Sequence, residues 1–164
     1  MDFYERALRL KEICHKYGVD FVINDRLDIA LAVDADGVHL GQSDMTIQMA
    51  KKIIGRKKIV GISAKNMEEA LEAQKYGADY IGVGAIFATD TKKDSGLVDL
   101  DTIREMTDKI HIPVLAIGGI GLGKVDYLRG TGIDGICAIS DILGADDPEA
   151  RTRVLLEEFR SIGI

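Results

Sequence analysis

The sequence predicts an α/β fold built on a parallel sheet, and three observations carry that expectation. A tripeptide recurs in altered form as Gly18-Val19-Asp20, Asp34-Ala35-Asp36, Gly77-Ala78-Asp79 and Gly132-Ile133-Asp134, each followed by a short apolar run. Three of these copies follow a segment of helical spacing, so the repeated unit reads helix, glycine stop, tight turn, buried strand. The strand candidates are aliphatic on both sides instead of alternating, the pattern of a parallel sheet covered by helices.

Taken in order, residues 3–17 predict the first helix, with Phe3, Ala7, Leu10, Cys14 and Tyr17 on one stripe. Phe21-Val22-Ile23 and Val38-His39-Leu40 read as strands, with short helices near 28–33 and 45–54. Ile59 to Ser63 is a further strand. Asn66 followed by Glu69 then predicts the cap of a helix over 67–76. Strands at Tyr80 to Val83, Val114 to Ile117 and Ile136 to Ile139 alternate with helices over 100–107, 123–129 and 149–161. That makes about six β/α units in one domain spanning 1–164. A (β/α)8 barrel typically needs about 250 residues, or about 200 at the low end. The chain also opens on a helix, so two strands and a helix read as missing from the front.

Composition removes several function classes. The formal net charge of -6 argues against a broad nucleic-acid surface, while leaving room for a local basic pocket. The longest apolar runs, such as Ile133 to Ile142, are interrupted by Asp134 and Asp141. None approaches the roughly 20 apolar residues of a membrane span. The N-terminus has no signal-peptide core. Cys14 and Cys137, far apart and among aliphatic residues, read as reduced core thiols of a cytoplasmic protein. His15, His39 and His111 show no zinc-ligand spacing and read as structural. No serine sits in a nucleophile-elbow context.

The polar residues gather just after the strands, the end at which parallel α/β folds bind ligands. Asp25 and Asp44 are the best metal candidates, because Mg2+ takes one or two carboxylates and completes its shell with phosphate oxygens and water. Each also suits an ordinary helix cap. Thr89, Thr91 and Lys92 make a hydroxyl-and-ammonium cluster fit for phosphate oxygens, or a solvated loop. Gly118-Gly119 offers backbone N–H groups, or a plain tight turn. Ile139-Ser140 leads into a helix start, where N–H groups and the dipole favour an anion.

Together these stretches resemble the thiamine-phosphate synthase (thiamine-phosphate pyrophosphorylase) family. The matching residues are Ile23-Asn24-Asp25-Arg26 with Asp28-Ile29-Ala30, Asp36-Gly37-Val38-His39-Leu40-Gly41-Gln42, Gly61-Ile62-Ser63, Asp79-Tyr80-Ile81-Gly82-Val83-Gly84, Thr89-Asp90-Thr91-Lys92, Ala116-Ile117-Gly118-Gly119-Ile120 and Ile139-Ser140. They run in order across nearly the whole chain. The resemblance implies a TIM (β/α)8 barrel that joins hydroxymethylpyrimidine diphosphate to hydroxyethylthiazole phosphate and releases pyrophosphate. It implies Mg2+ on Asp25 and Asp44, Asn24 and Lys92 at the diphosphate, and Ser63 at the pyrimidine. Thr89, Thr91, Gly119, Ile139 and Ser140 would cradle the thiazole phosphate. The implied chemistry is dissociative, with a cation-like pyrimidine methylene trapped by the thiazole nitrogen and Lys92 and Ser63 as the catalytic pair.

Three departures from the family pattern stand out. The Gln-x-Arg-x-Lys diphosphate motif, which the family carries at the end of its second barrel strand, has no counterpart in these 164 residues. Ala85 replaces a usual Pro, and the loop from Lys92 to Gly96 is short. Oligomerisation that covers the open sheet edges is one way such a chain completes itself; a truncated fragment or a non-catalytic phosphate-binding relative are others. A thiazole tautomerase would carry His where Ala85 stands.

Overall fold

The computed structural model describes residues 2–89 and 96–163, in which helices and strands alternate. In chain order they are α1 (Phe3–Lys16), β1 (Val22–Asn24), α2 (Leu27–Ala32), β2 (Gly37–Leu40), α3 (Ile47–Ile54), β3 (Ile59–Ala64), α4 (Met67–Lys75), β4 (Tyr80–Val83), α5 (Leu100–Lys109), β5 (Val114–Ile117), β6 (Gly135–Cys137), α6 (Ser140–Leu143) and α7 (Pro148–Ser161). Where the sequence suggested a helix over 123–129, a single 3-10 turn, Val125–Leu128, forms instead. The cap at Asn66 is as predicted. Its Oδ1 accepts from the Glu69 N–H, and Glu69 reaches back to the Lys65 N–H.

The strands form one parallel sheet in the order β1-β2-β3-β4-β5-β6. Every connection moves one place in the same direction, so right-handed crossovers carry all the connecting helices to one side. A doubly wound sheet would reverse direction at some point; this one never does, and the winding is that of a barrel. The sheet is nevertheless open. Strands β1 and β6 each have a partner on one side only, and the described residues do not make a closed eight-stranded barrel.

The strands are not aliphatic on both faces, contrary to the sequence reading. Their residues alternate, as the pleat requires. Ile23, Val38, Leu40, Val60, Ile62, Ala64, Ile81, Val83, Val114 and Ala116 are all buried, and they form the core with Ala30, Ala50, Ala70, Ile103 and Met106 of the helices. The intervening positions are Val22, Asn24, Gly37, His39, Ile59, Gly61, Ser63, Tyr80, Gly82, Leu115, Ile117, Gly135 and Cys137. They occupy the other face, which is mixed in polarity and rich in glycine. Cys14 and Cys137 are free thiols, each half-buried and outside the sealed core.

The recurring tripeptide has a second use that its local pattern does not reveal. Its glycines adopt positive φ, at the helix ends for Gly18 and Gly77 at 67° and 85° and in a loop for Gly132 at 75°, and Asp34 fills the slot after α2 at 54°. Its final aspartate staples neighbouring strands at their amino ends. Asp36, Asp79 and Asp134 accept from the N–H groups of Phe21, Val60 and Val114 at 2.8, 2.7 and 2.7 Å. Each aspartate N–H donates in return to the carbonyl of the same residue. The backbone bond to Phe21, with the His15 ring beside it, holds the Asp36 carboxyl below the usual carboxylate range.

Candidate functional site

The carboxyl ends of the strands carry the residues that the sequence singles out. After β1, Asn24 and Asp25 are exposed, and Asp25 takes a left-handed backbone at φ 63° while its N–H donates to the His39 carbonyl at 2.8 Å. A non-glycine residue held in that region costs free energy, and such positions concentrate at functional sites. After β2, Asp44 closes a turn, its Oδ2 accepting from the Gly41 N–H at 2.7 Å. Neither carboxylate caps a helix, since α2 opens on Arg26 and α3 on Thr46. Asp25 and Asp44 thus stand beyond two adjacent strands, β1 and β2.

At the end of β3, half-buried Ser63 is held from two directions. Gln42 Nε2 donates to its carbonyl at 2.6 Å, and its Oγ lies 3.0 Å from His39 Nε2. The other ring nitrogen of His39, Nδ1, lies 3.0 Å from the Tyr80 hydroxyl, and the two rings stack at 5.4 Å. Burial pushes the Tyr80 phenol up to about 12, so it remains a hydrogen-bond donor at neutral pH. His39, for which the sequence suggested a structural role, thus stands in hydrogen-bond contact with Ser63. Its signal was position, two residues before Gly41 on a strand, and a strand this short does not reveal which face that is.

The second half of the rim follows β4 to β6. Thr89 is half-buried; Thr91 and Lys92 lie outside the described residues. Gly118 and Gly119, at φ 102° and 64°, are required by close approach. A Cβ on Gly118 would sit 2.6 Å from the Ala85 Cα, and one on Gly119 would sit 2.8 Å from the Phe87 Cβ. The loop after β4 fills the space beside them, with Ile86 and Phe87 N–H groups donating to the Ile117 and Gly118 carbonyls. Lys124, which the sequence reading passed over, donates to the Gly119 carbonyl at 3.0 Å and lies over the Phe87 ring. Beyond β6, Ile139 and Ser140 are exposed at the start of α6, and Arg151 holds Asp141 at 2.8 Å.

Among the described residues, no three His, Cys, Asp or Glu side chains gather into a metal cage. Two exposed carboxylates on neighbouring strand ends suit the chemistry of Mg2+, which dehydrates reluctantly and leans on substrate phosphates.

A one-sidedly wound parallel sheet with polar groups gathered at the strand carboxyl ends defines an α/β protein of the barrel kind. The family model for thiamine monophosphate synthase matches residues 1–142. The thiamine-phosphate synthase of Clostridium botulinum is 51% identical over 158 residues, 96% of this chain and 74% of that relative. A thiamine phosphate pyrophosphorylase structure from Pyrococcus furiosus superposes with a TM-score of 0.88 at 41% identity, covering 98% of this chain and 77% of that one. The crystal structure of KGPDC from Streptococcus mutans, at 15% identity and a TM-score of 0.75, shares the fold and covers 98% of this chain and 80% of that one. The chain belongs to the thiamine monophosphate synthase family and with it to the transferases of thiamine biosynthesis. No helix of the described residues is long and apolar enough to cross a membrane.

Proposed function

We propose that the strand carboxyl ends join hydroxymethylpyrimidine diphosphate to hydroxyethylthiazole phosphate, giving thiamine phosphate and pyrophosphate. The observation that carries this reading is the placement of Asn24, Asp25, Asp44 and Ser63 at or just after the ends of three adjacent strands, the residues to which the resemblance assigns the diphosphate, metal and pyrimidine. Asn24 and Lys92 hold the diphosphate, and Ser63 holds the pyrimidine. Asp25 and Asp44 would hold Mg2+, which would supply positive charge against the departing pyrophosphate. The methylene C–O bond breaks with its electron pair leaving on pyrophosphate, and the thiazole nitrogen lone pair forms the new C–N bond. Thr89, Thr91, Gly119, Ile139 and Ser140 seat the thiazole phosphate so that this nitrogen faces the methylene. Positioning and charge do the catalysis, and no general base is needed.

In this reading the sheet is the larger part of a (β/α)8 barrel, with the edges of β1 and β6 open to cover by a second copy of the chain. Two unbridged cysteines support cytoplasmic residence. The test is Mg2+-dependent pyrophosphate release with both substrates at several protein concentrations. Turnover rising faster than linearly with protein is the result expected of chains that complete one another. Asp25→Ala and Lys92→Ala should each lower the rate by about 10²–10³-fold with the thermal transition unchanged. Wild-type rates in either variant would remove the assigned roles.

A further inference from the structure

The open face of the sheet has been cleared for two rings. A Cβ on Gly61 would run into the Tyr80 ring, and one on Gly82 would lie 3.1 Å from His39 Cε1. Glycine at both positions lets the two rings lie flat across β2, β3 and β4, bridging the three strands by side chains alone. The bridge ends on the Ser63 hydroxyl.

The chain of hydrogen bonds has a direction. Among the described residues, the half-buried Tyr80 hydroxyl meets one polar partner, His39 Nδ1, and the phenol O–H donates to that ring nitrogen. Nδ1 is then the acceptor nitrogen of a neutral imidazole, and the ring proton sits on Nε2. Nε2–H donates to Ser63 Oγ. With its lone pair engaged by His39, the serine has its own O–H left to give.

We propose that Tyr80 and His39 are positioning residues that set the Ser63 hydroxyl as a hydrogen-bond donor toward an acceptor ring nitrogen of the pyrimidine substrate. The inference rests on the proposed function for its ligand and deepens it. It makes the Ser63 subsite selective for a heteroaromatic ring with a lone pair in the ring plane, against the same ring with C–H at that position.

Two measurements test it. The first needs no substrate: long-range 1H–15N correlation spectra of the histidine-labelled chain, with His39 assigned by loss of its signals in His39→Gln, read the tautomer. The Nε2–H form is expected, and the Nδ1–H form overturns the proposal. The second compares calorimetric binding of hydroxymethylpyrimidine diphosphate with that of its analogue bearing C–H in place of the ring nitrogen. The chain should prefer the pyrimidine by about tenfold. Tyr80→Phe should reduce that preference to near twofold, with affinity for thiazole phosphate unchanged, and Ser63→Ala should abolish it. His39→Gln, which keeps a donor within reach of Ser63, should retain more of it than His39→Leu. An undiminished preference in Tyr80→Phe overturns the proposal. A chain that binds neither compound defeats the pyrimidine reading itself, a result the substrate-free spectra keep distinct from a wrong tautomer.

Discussion

The two faces of the sheet solve different problems with the same strands. Toward the helices, Val38, Val60, Ile81, Val83 and Ala116 are fully sealed from water, and nothing polar interrupts them. On the other side, one step along the same strands, His39, Ser63 and Tyr80 are half-buried and joined by hydrogen bonds across strands, over Gly61 and Gly82. Burial of apolar surface, worth about 25 cal/mol per Å2, places most of the stability on the first face. The second face is thereby free to hold groups that packing alone would not choose.

If that division is right, mutations on the two faces should separate stability from substrate handling. The largest loss of stability is expected from Ile81→Ala, which leaves a cavity in the sealed face. Chemical denaturation should show a cost of about 2–5 kcal/mol, with kcat of the folded fraction little changed. Gly61→Ala tests the boundary, since its methyl group displaces the Tyr80 ring. A cost of about 1–3 kcal/mol is expected, together with weaker pyrimidine diphosphate binding measured by calorimetry. Ser63→Ala sharpens the comparison from the other side, with stability changed by no more than about 1 kcal/mol while KM for the pyrimidine diphosphate rises several-fold.

A smaller effect concerns acid. The carboxyl of Asp36 sits lower in the folded chain than in the unfolded one, so its contribution is present in full above about pH 4. That contribution is lost as pH falls through the lowered folded value. Unfolding midpoints measured between pH 6 and pH 3 should therefore fall less steeply for Asp36→Asn than for the parent chain. An identical slope would show that the strand staple does not depend on charge. Asp28 is the smallest case. It is held near 2 by Arg26, yet it is fully exposed, and Asp28→Asn should leave the thermal midpoint where it is.

Sequence reading succeeded where the physics is local. The glycine stops at Gly18 and Gly77 and the cap at Asn66 are written within a few residues of where they act. The strand end that carries Asn24 and Asp25 could be placed from the same pattern, and the one that carries Ser63 from its apolar run alone. It failed where the partner is remote or the face is undecided. The aspartate staples join residues 15 to 20 positions apart, so nothing next to Asp79 or Asp134 announces Val60 or Val114. In strands of three or four residues, one step decides between core and open face, and aliphatic neighbours on both sides of His39 concealed its orientation. Gly118 and Gly119 were read for what they leave open, whereas the loop after β4 had already occupied that space.

The staples also divide labour between the two ends of the sheet. Each needs one carboxylate and one peptide group, and makes no demand on the loops at the opposite end. Those loops are left to drift, lengthen or be replaced without loosening the strand pairing beneath them. A scaffold anchored in this way at its base can be re-tasked from the top, so selection on a new substrate need not first repair the frame.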